Sequence, residues 1–174
     1  MVVLIVLLIV PQTGTPIKVA FQRLFAFSPD SLETEDQTPL ETYNWPLEDM
    51  NGNKFNLKQS QGKLVFINLW ATWCPPCIAE MPAMQQLYND YGDKIDFYFV
   101  SNEAPGTIVG FMNKKQYDLP VYTRLYAFPA DIESNVLPTT MVVDQNGTIV
   151  LFETGAKDWD SPKFYEFLDG LLTP

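Results

Sequence analysis

The chain has 174 residues, 47% of them hydrophobic and 18% charged, enough for one packed domain with residues to spare. Lys and Arg number 11 against 21 Asp and Glu; the formal net charge of -10 repels phosphate backbones and puts nucleic acid last among candidate partners. Two cysteines and no histidine exclude Ser-His-Asp and Cys-His catalysis, His-ligated zinc and c-type haem attachment, leaving carboxylates, hydroxyls or one pair of sulfurs to carry any chemistry.

Residues 2–10 form an unbroken apolar run closed by Pro11. As a helix it is roughly 14 Å long, under half of the ~30 Å hydrocarbon core, so it cannot span a bilayer as written. In length it matches the apolar region of a signal peptide or signal anchor, without the basic residues that precede one. Lys18 and Arg23 lie after the run, which by the positive-inside tendency would point the rest of the chain inward. The expectation is therefore that Met1 lies downstream of the true start and that 1–27 is an incomplete membrane anchor. The bland alternative is a buried helix or strand of the domain. Ile17, Ala20, Phe21, Leu24 and Phe25 fall at helical spacing with Lys18, Gln22 and Arg23 between them, which suits a membrane surface or packing onto the domain equally well. Residues 28–42 carry five acidic side chains, Pro29 and Pro39 and no basic residue, the composition of a solvated acidic linker.

The folded domain is expected over 43–174. Asn51-Gly52 ahead of Phe55 and Leu57 predicts a hairpin. Residues 63–70 (KLVFINLW) read as a central strand buried on both faces, and 95–100 (IDFYFV) as a second. Helices are predicted over 75–88 and 107–116, the latter with Ile108, Phe111 and Met112 on one face, and a short strand over 119–122. Strands at 139–143 and 148–152 are joined through Asp144, Gln145, Asn146 and Gly147. Ser161 and Pro162 open a last helix with a stripe of Phe164, Phe167, Leu168, Leu171 and Leu172. Strands alternating with helices, then a late hairpin, predict an α/β sandwich with a mixed sheet.

Both cysteines fall in Trp73-Cys74-Pro75-Pro76-Cys77, where a buried strand gives way to a helix. Cys74 then sits at a helix N-terminus, where unpaired N–H groups and the macrodipole favour a thiolate, the nucleophilic form. Cys77, one turn on, can close a small disulfide with it. Pro75 and Pro76 are tolerated in a first turn but cannot donate an N–H to the Cys74 sulfur. Half a zinc site is the bland reading of CxxC; with no second CxxC and no His, it would need two carboxylate ligands. A loop so short removes little unfolded-state entropy, so a purely stabilising disulfide is a poor account of the pair. A redox disulfide is the strong one.

The stretch from Asn68 to Cys77 (NLWATWCPPC), followed by Glu80 and Pro82, resembles the thioredoxin-like family of membrane-tethered bacterial oxidoreductases typified by TlpA and ResA. Val136-Leu137-Pro138-Thr139-Thr140 and the turn at 144–147 resemble its second signature. The resemblance covers 43 to the C-terminus and implies a thioredoxin-like fold with an N-terminal hairpin and a central insertion. It implies that Cys74 attacks a substrate disulfide and Cys77 resolves the mixed disulfide. It further implies that Pro138 is a cis-proline facing the pair, with the Leu137 backbone offered to an extended substrate segment. Glu80, matching an acidic family position, is a solvated helix residue on spacing alone; if partly buried it would have a raised pKa and could take the Cys77 proton. Trp73, beside the exposed sulfur, is expected with Pro75 and Pro76 on the substrate-facing surface, and Trp70, Met81, Met84 and Tyr88 in the core.

The function implied is a thiol-disulfide oxidoreductase, with no cofactor and no metal, anchored by its N-terminus with the domain in the periplasm. It would take electrons from a membrane thiol reductase and reduce disulfide-containing proteins, apocytochromes c among them. One alternative is a thiol peroxidase of the peroxiredoxin branch, whose motif needs Pro seven residues and Thr or Ser three residues before the reactive cysteine; Ile67 and Ala71 stand there, and Thr72 is one place off. The other is a non-catalytic binding module on the same scaffold, with the cysteines idle.

Overall fold

The computed structural model describes residues 28–127, 129–130 and 132–173. In chain order these form strands β1 (Thr38–Pro39), β2 (Pro46–Asp49) and β3 (Lys54–Asn56), a 3-10 turn (Leu57–Ser60), β4 (Val65–Leu69), helix α1 (Pro75–Tyr91), β5 (Asp96–Ser101), α2 (Pro105–Lys115), β6 (Val121–Arg124), β7 (Thr139–Val143), β8 (Thr148–Thr154) and α3 (Pro162–Leu172). One eight-stranded sheet runs in the order β1-β8-β7-β4-β5-β6-β2-β3. It is mixed: β4 and β6 flank β5 in parallel, and the remaining neighbours are antiparallel.

Alternation along β4 shows why its sequence is apolar throughout. Phe66 enters one apolar cluster, while Val65, Ile67 and Leu69 enter another. β5 divides likewise, with Phe97 and Phe99 on the first side and Tyr98 and Val100 on the second. The first cluster takes the buried faces of α1, α2 and α3. The second is filled from outside the α-helices, including Leu40, Trp45, Leu57 and Ile132. Asn68, on the same side of β4 as Phe66, is the exception in this strand: it is polar and 1% exposed.

Several boundaries differ from the sequence reading, each for a local reason. Leu57 does not continue the hairpin, because the Asn56 side chain accepts the Lys58 N–H and turns the chain into the 3-10 turn. Pro120 defers β6 to Val121. α1 runs to Tyr91 before Gly92 caps it, with Pro82 inside the helix. Gln116 ends α2 in the left-handed conformation, its N–H returning to the last turn. Ser161 occupies the N-cap of α3 but makes no side-chain capping bond. In the late hairpin Gly147 has φ of +85°, and the Asp144 carboxylate accepts the N–H groups of Asn146 and Thr148.

The largest departure concerns 28–42, read from composition as a solvated linker. In the structure it lies along the sheet: β1 pairs with β8, Leu32 donates to the Val150 carbonyl and Leu40 to that of Gly147, at 2.8 Å each. Leu40 and Pro29 are buried, and Lys163 pairs with Asp30. Acidic composition reported the outward side chains, whereas free hydrogen-bonding groups on the edge of β8 decided where the backbone went. The expected anchor and amphipathic segment, 1–27, lie outside the described residues. Among those described, no helix is long and apolar enough to cross a membrane.

Candidate active site

The chain leaves the sheet at Leu69 and enters α1 at Pro75, so residues 70–74 carry the reactive loop. Its ends are tied down: Trp70 donates to the Val100 carbonyl of β5 at 3.1 Å, and Cys74 to that of Ala71 at 3.2 Å. Cys74 is the N-cap of α1, with its sulfur accepting the Cys77 N–H at 3.3 Å. Pro75 and Pro76 have no N–H to offer, so the third helical residue supplies the first amide the sulfur can meet. Cys74 and Cys77 are joined in a disulfide with their Cα atoms 5.3 Å apart, the oxidised state of a CxxC pair.

Cys74 is less open than its sequence position suggests. It is 3% exposed, while its neighbour Trp73 is 69% exposed. Both cysteines join Trp70 and Ala71 in the larger apolar cluster, so the disulfide packs into the domain instead of projecting from it. Access is through a cleft of about 550 Å³ lined by Cys74, Trp73, Pro75, Pro76, Leu137 and Glu103, among others. All the expected substrate-facing residues except Pro138 line this cleft. Pro138 is buried immediately behind it, the Leu137–Pro138 peptide is cis, and the Pro138 carbonyl accepts the Gly155 N–H at 2.9 Å. Among the described residues, neither the N–H nor the C=O of Leu137 takes a backbone hydrogen-bond partner.

Glu80 lies on the buried face of α1, one turn beyond Cys77, and is 3% exposed. Burial pushes its carboxyl up to about 8 from the ordinary 4.5, against the opposing pull of N–H donors from Trp159, Lys157 and Asn68. Trp70, Met81 and Met84 are core residues as expected, and Tyr88 is half-buried against the same cluster.

Glu103 has no counterpart among the residues singled out from sequence. Its carboxylate accepts the Thr72 N–H at 2.6 Å and the Thr72 hydroxyl at 2.7 Å, clamping the loop two residues before Cys74. Nothing local could have revealed it, because the two residues are 31 apart in the chain. Asn68 and Trp159 were also missed as partners of Glu80, although a lone amide inside an apolar strand was a visible signal.

A disulfide at a helix N-terminus, beside a cis-proline loop on a mixed sheet, defines a thioredoxin-fold protein with a redox CxxC. Residues 26–168 match the sequence profile of the Redoxin family, and the chain belongs to that family. It is 35% identical over 115 residues to the thiol-disulfide oxidoreductase ResA of Halalkalibacterium halodurans and 32% identical over 110 residues to the thioredoxin-like protein YneN of Bacillus subtilis. These matches take in 64% and 61% of this chain and 65% of each relative's length. Among solved structures, a thioredoxin-family thiol:disulfide interchange protein of Chlorobium tepidum superposes with a TM-score of 0.62 at 23% identity, over 78% of this chain and 97% of that one.

Proposed function

We propose that the protein is a thiol-disulfide oxidoreductase that reduces disulfides of other proteins outside the cytoplasm, tethered to the membrane through residues 1–27. The observation that carries the reading is the bonded Cys74–Cys77 pair at the mouth of a cleft, with a buried carboxyl one helical turn beyond Cys77. The relatives named ResA support the reaction class. A membrane thiol reductase is the electron donor in this reading, and apocytochromes c are among the disulfide-bearing substrates.

In the reduced protein the Cys74 thiolate, favoured by the helix N-terminus and the Cys77 N–H, attacks one sulfur of a substrate disulfide. The substrate's other sulfur leaves as a thiolate and a mixed disulfide forms. Glu80 takes the Cys77 proton, and the Cys77 thiolate then attacks the Cys74 sulfur. The second substrate sulfur leaves, the substrate gains two electrons, and the protein is left with the disulfide seen here. A carboxyl raised to about 8 is a stronger proton acceptor than an ordinary glutamate, which suits it to this step. Peroxide reduction fits less well: the Thr72 hydroxyl is already given to Glu103, and Ile67 and Ala71 supply no other.

The test is Cys77→Ser in the full chain. With no resolving thiol, a covalent Cys74 adduct with a disulfide-bearing protein is expected to accumulate and to disappear on adding dithiothreitol. Absence of any adduct, with the Cys74 thiol still titratable, would favour the idle binding module. Glu80→Gln is expected to slow resolution about 10²-fold or more while sparing the Cys74 attack. The same residue sets a pH dependence of stability. Between pH 4.5 and about 8 the folded chain holds a proton that the unfolded chain has lost. Glu80 therefore contributes fully below about pH 4.5, and its contribution drains by roughly 1.4 kcal/mol per unit as pH rises towards 8. Denaturant titrations across this range should show a shallower slope for Glu80→Gln than for the parent.

A further inference from the structure

Glu80 is held by residues that the exchange steps do not use. Trp159 Nε1 donates to Oε2 at 2.8 Å and the Lys157 N–H to the same oxygen at 3.3 Å. Asn68 Nδ2 donates to Oε1 at 3.1 Å. The same Asn68 amide donates to the Thr140 hydroxyl oxygen at 2.8 Å, and Asn68 and Thr140 are register partners on adjacent strands. The Asn68 NH₂ thus serves both Glu80 and Thr140. Trp159, Asn68 and Thr140 are each no more than 1% exposed, so water cannot replace any of these donors cheaply.

A carboxylate oxygen has about two lone-pair sites. On Oε2 both are occupied by N–H donors, whereas Oε1 receives one. An arriving proton finds its open site on Oε1 and would displace a donor on Oε2. We propose that Trp159, seconded by Asn68, is a positioning residue of the exchange reaction, pinning Oε2 so that the proton leaving Cys77 is received on Oε1. The proposal rests on the reading of Glu80 as the Cys77 base.

Packing and positioning can be separated at this residue. The indole sits edge-on to Phe66 and Phe164, with centroids 5.4 and 5.1 Å away, contacts that another aromatic ring can make. Only the indole adds an N–H aimed at Oε2. The other titratable groups about Glu80 are few. Cys77 shares its helix, the Lys157 ammonium pairs with Glu153 at 2.8 Å, and Asp158 and Asp160 flank Trp159, with the Asp158 carboxyl raised to about 6 by Asp160. From β4 the neutral Asn68 reaches it, itself bonded to the neutral Thr140 of β7.

The experiment uses the reduced full chain and Ellman's reagent. Attack by Cys74 releases one thionitrobenzoate, and resolution by Cys77 releases the second in a separate phase. Trp159→Phe is expected to leave the first phase unchanged and to move the pH midpoint of the second up by about one unit, roughly tenfold slower at pH 7. Asn68→Ala should move it in the same direction, and Trp159→Phe should add nothing in a Glu80→Gln background. Carbon-13 NMR of the Glu80 carboxyl should show the same upward shift without reference to the cysteines. An unchanged midpoint in both measurements overturns the proposal, with Asn68→Ala deciding if Trp159→Phe does not fold. A wild-type second phase in Glu80→Gln overturns instead the reading of Glu80 as base, with the carboxyl titration still judging Trp159.

Discussion

Cys74→Ser is expected to reduce thiol–disulfide exchange to the uncatalysed rate, a loss of at least about 10³-fold at pH 7. A serine hydroxyl stays protonated where a thiol at a helix N-terminus ionises, so the helix dipole and the Cys77 N–H have no anion to stabilise. Cys77 does not take over, because it is fully buried while access to the pair is from the Cys74 side of the cleft. The measurement is reduction of a protein disulfide by the fully reduced variant beside the parent and Cys77→Ser. Cys77→Ser should react once and stop, and Cys74→Ser should not react. Retention of more than a few per cent of parental exchange by Cys74→Ser would displace Cys74 as the attacking sulfur.

The largest expected loss of stability is at Phe66. It is wholly buried on β4 and lies within ring contact of Phe97, Phe99, Trp159 and Phe164. These neighbours come from β5, from α3 and from the loop before it, so no single element can move in to fill the space. Phe66→Ala removes the apolar ring and leaves a cavity, together costing about 3–5 kcal/mol. For a domain of this size that lowers Tm by roughly 10 °C or more. Thermal unfolding followed by circular dichroism measures it. Because Trp159 packs edge-on against Phe66, the variant should also disturb Glu80, so its stability and its resolution kinetics are expected to fall together.

How the site came to be legible in part follows from the range of the interactions involved. The CxxC placement depends on a strand ending and a helix starting within ten residues, and apolar runs with two prolines announce both. The cis Leu137–Pro138 bond and a role for Glu80 beside the cysteines came through resemblance, whereas the burial of Glu80 came only from the structure; spacing alone favoured a trans proline and a solvated glutamate. Glu103 stayed hidden because its partner Thr72 is brought to it only by the pairing of β4 with β5. The edge position of 28–42 stayed hidden because composition describes side chains, while an unpaired strand edge recruits backbone.

With two cysteines and no histidine, the sequence by itself determined which atoms can react and that they can close on each other, since those are matters of residue type and spacing. Only the tertiary structure decided how far they are from water, what grips the loop that carries them, and which donors surround the Glu80 carboxyl. Asn68, Glu80, Thr140 and Trp159 lie far apart in the chain and meet in one dry pocket. Desolvation, which sets the proton affinity there, is a property of that meeting and of no residue alone.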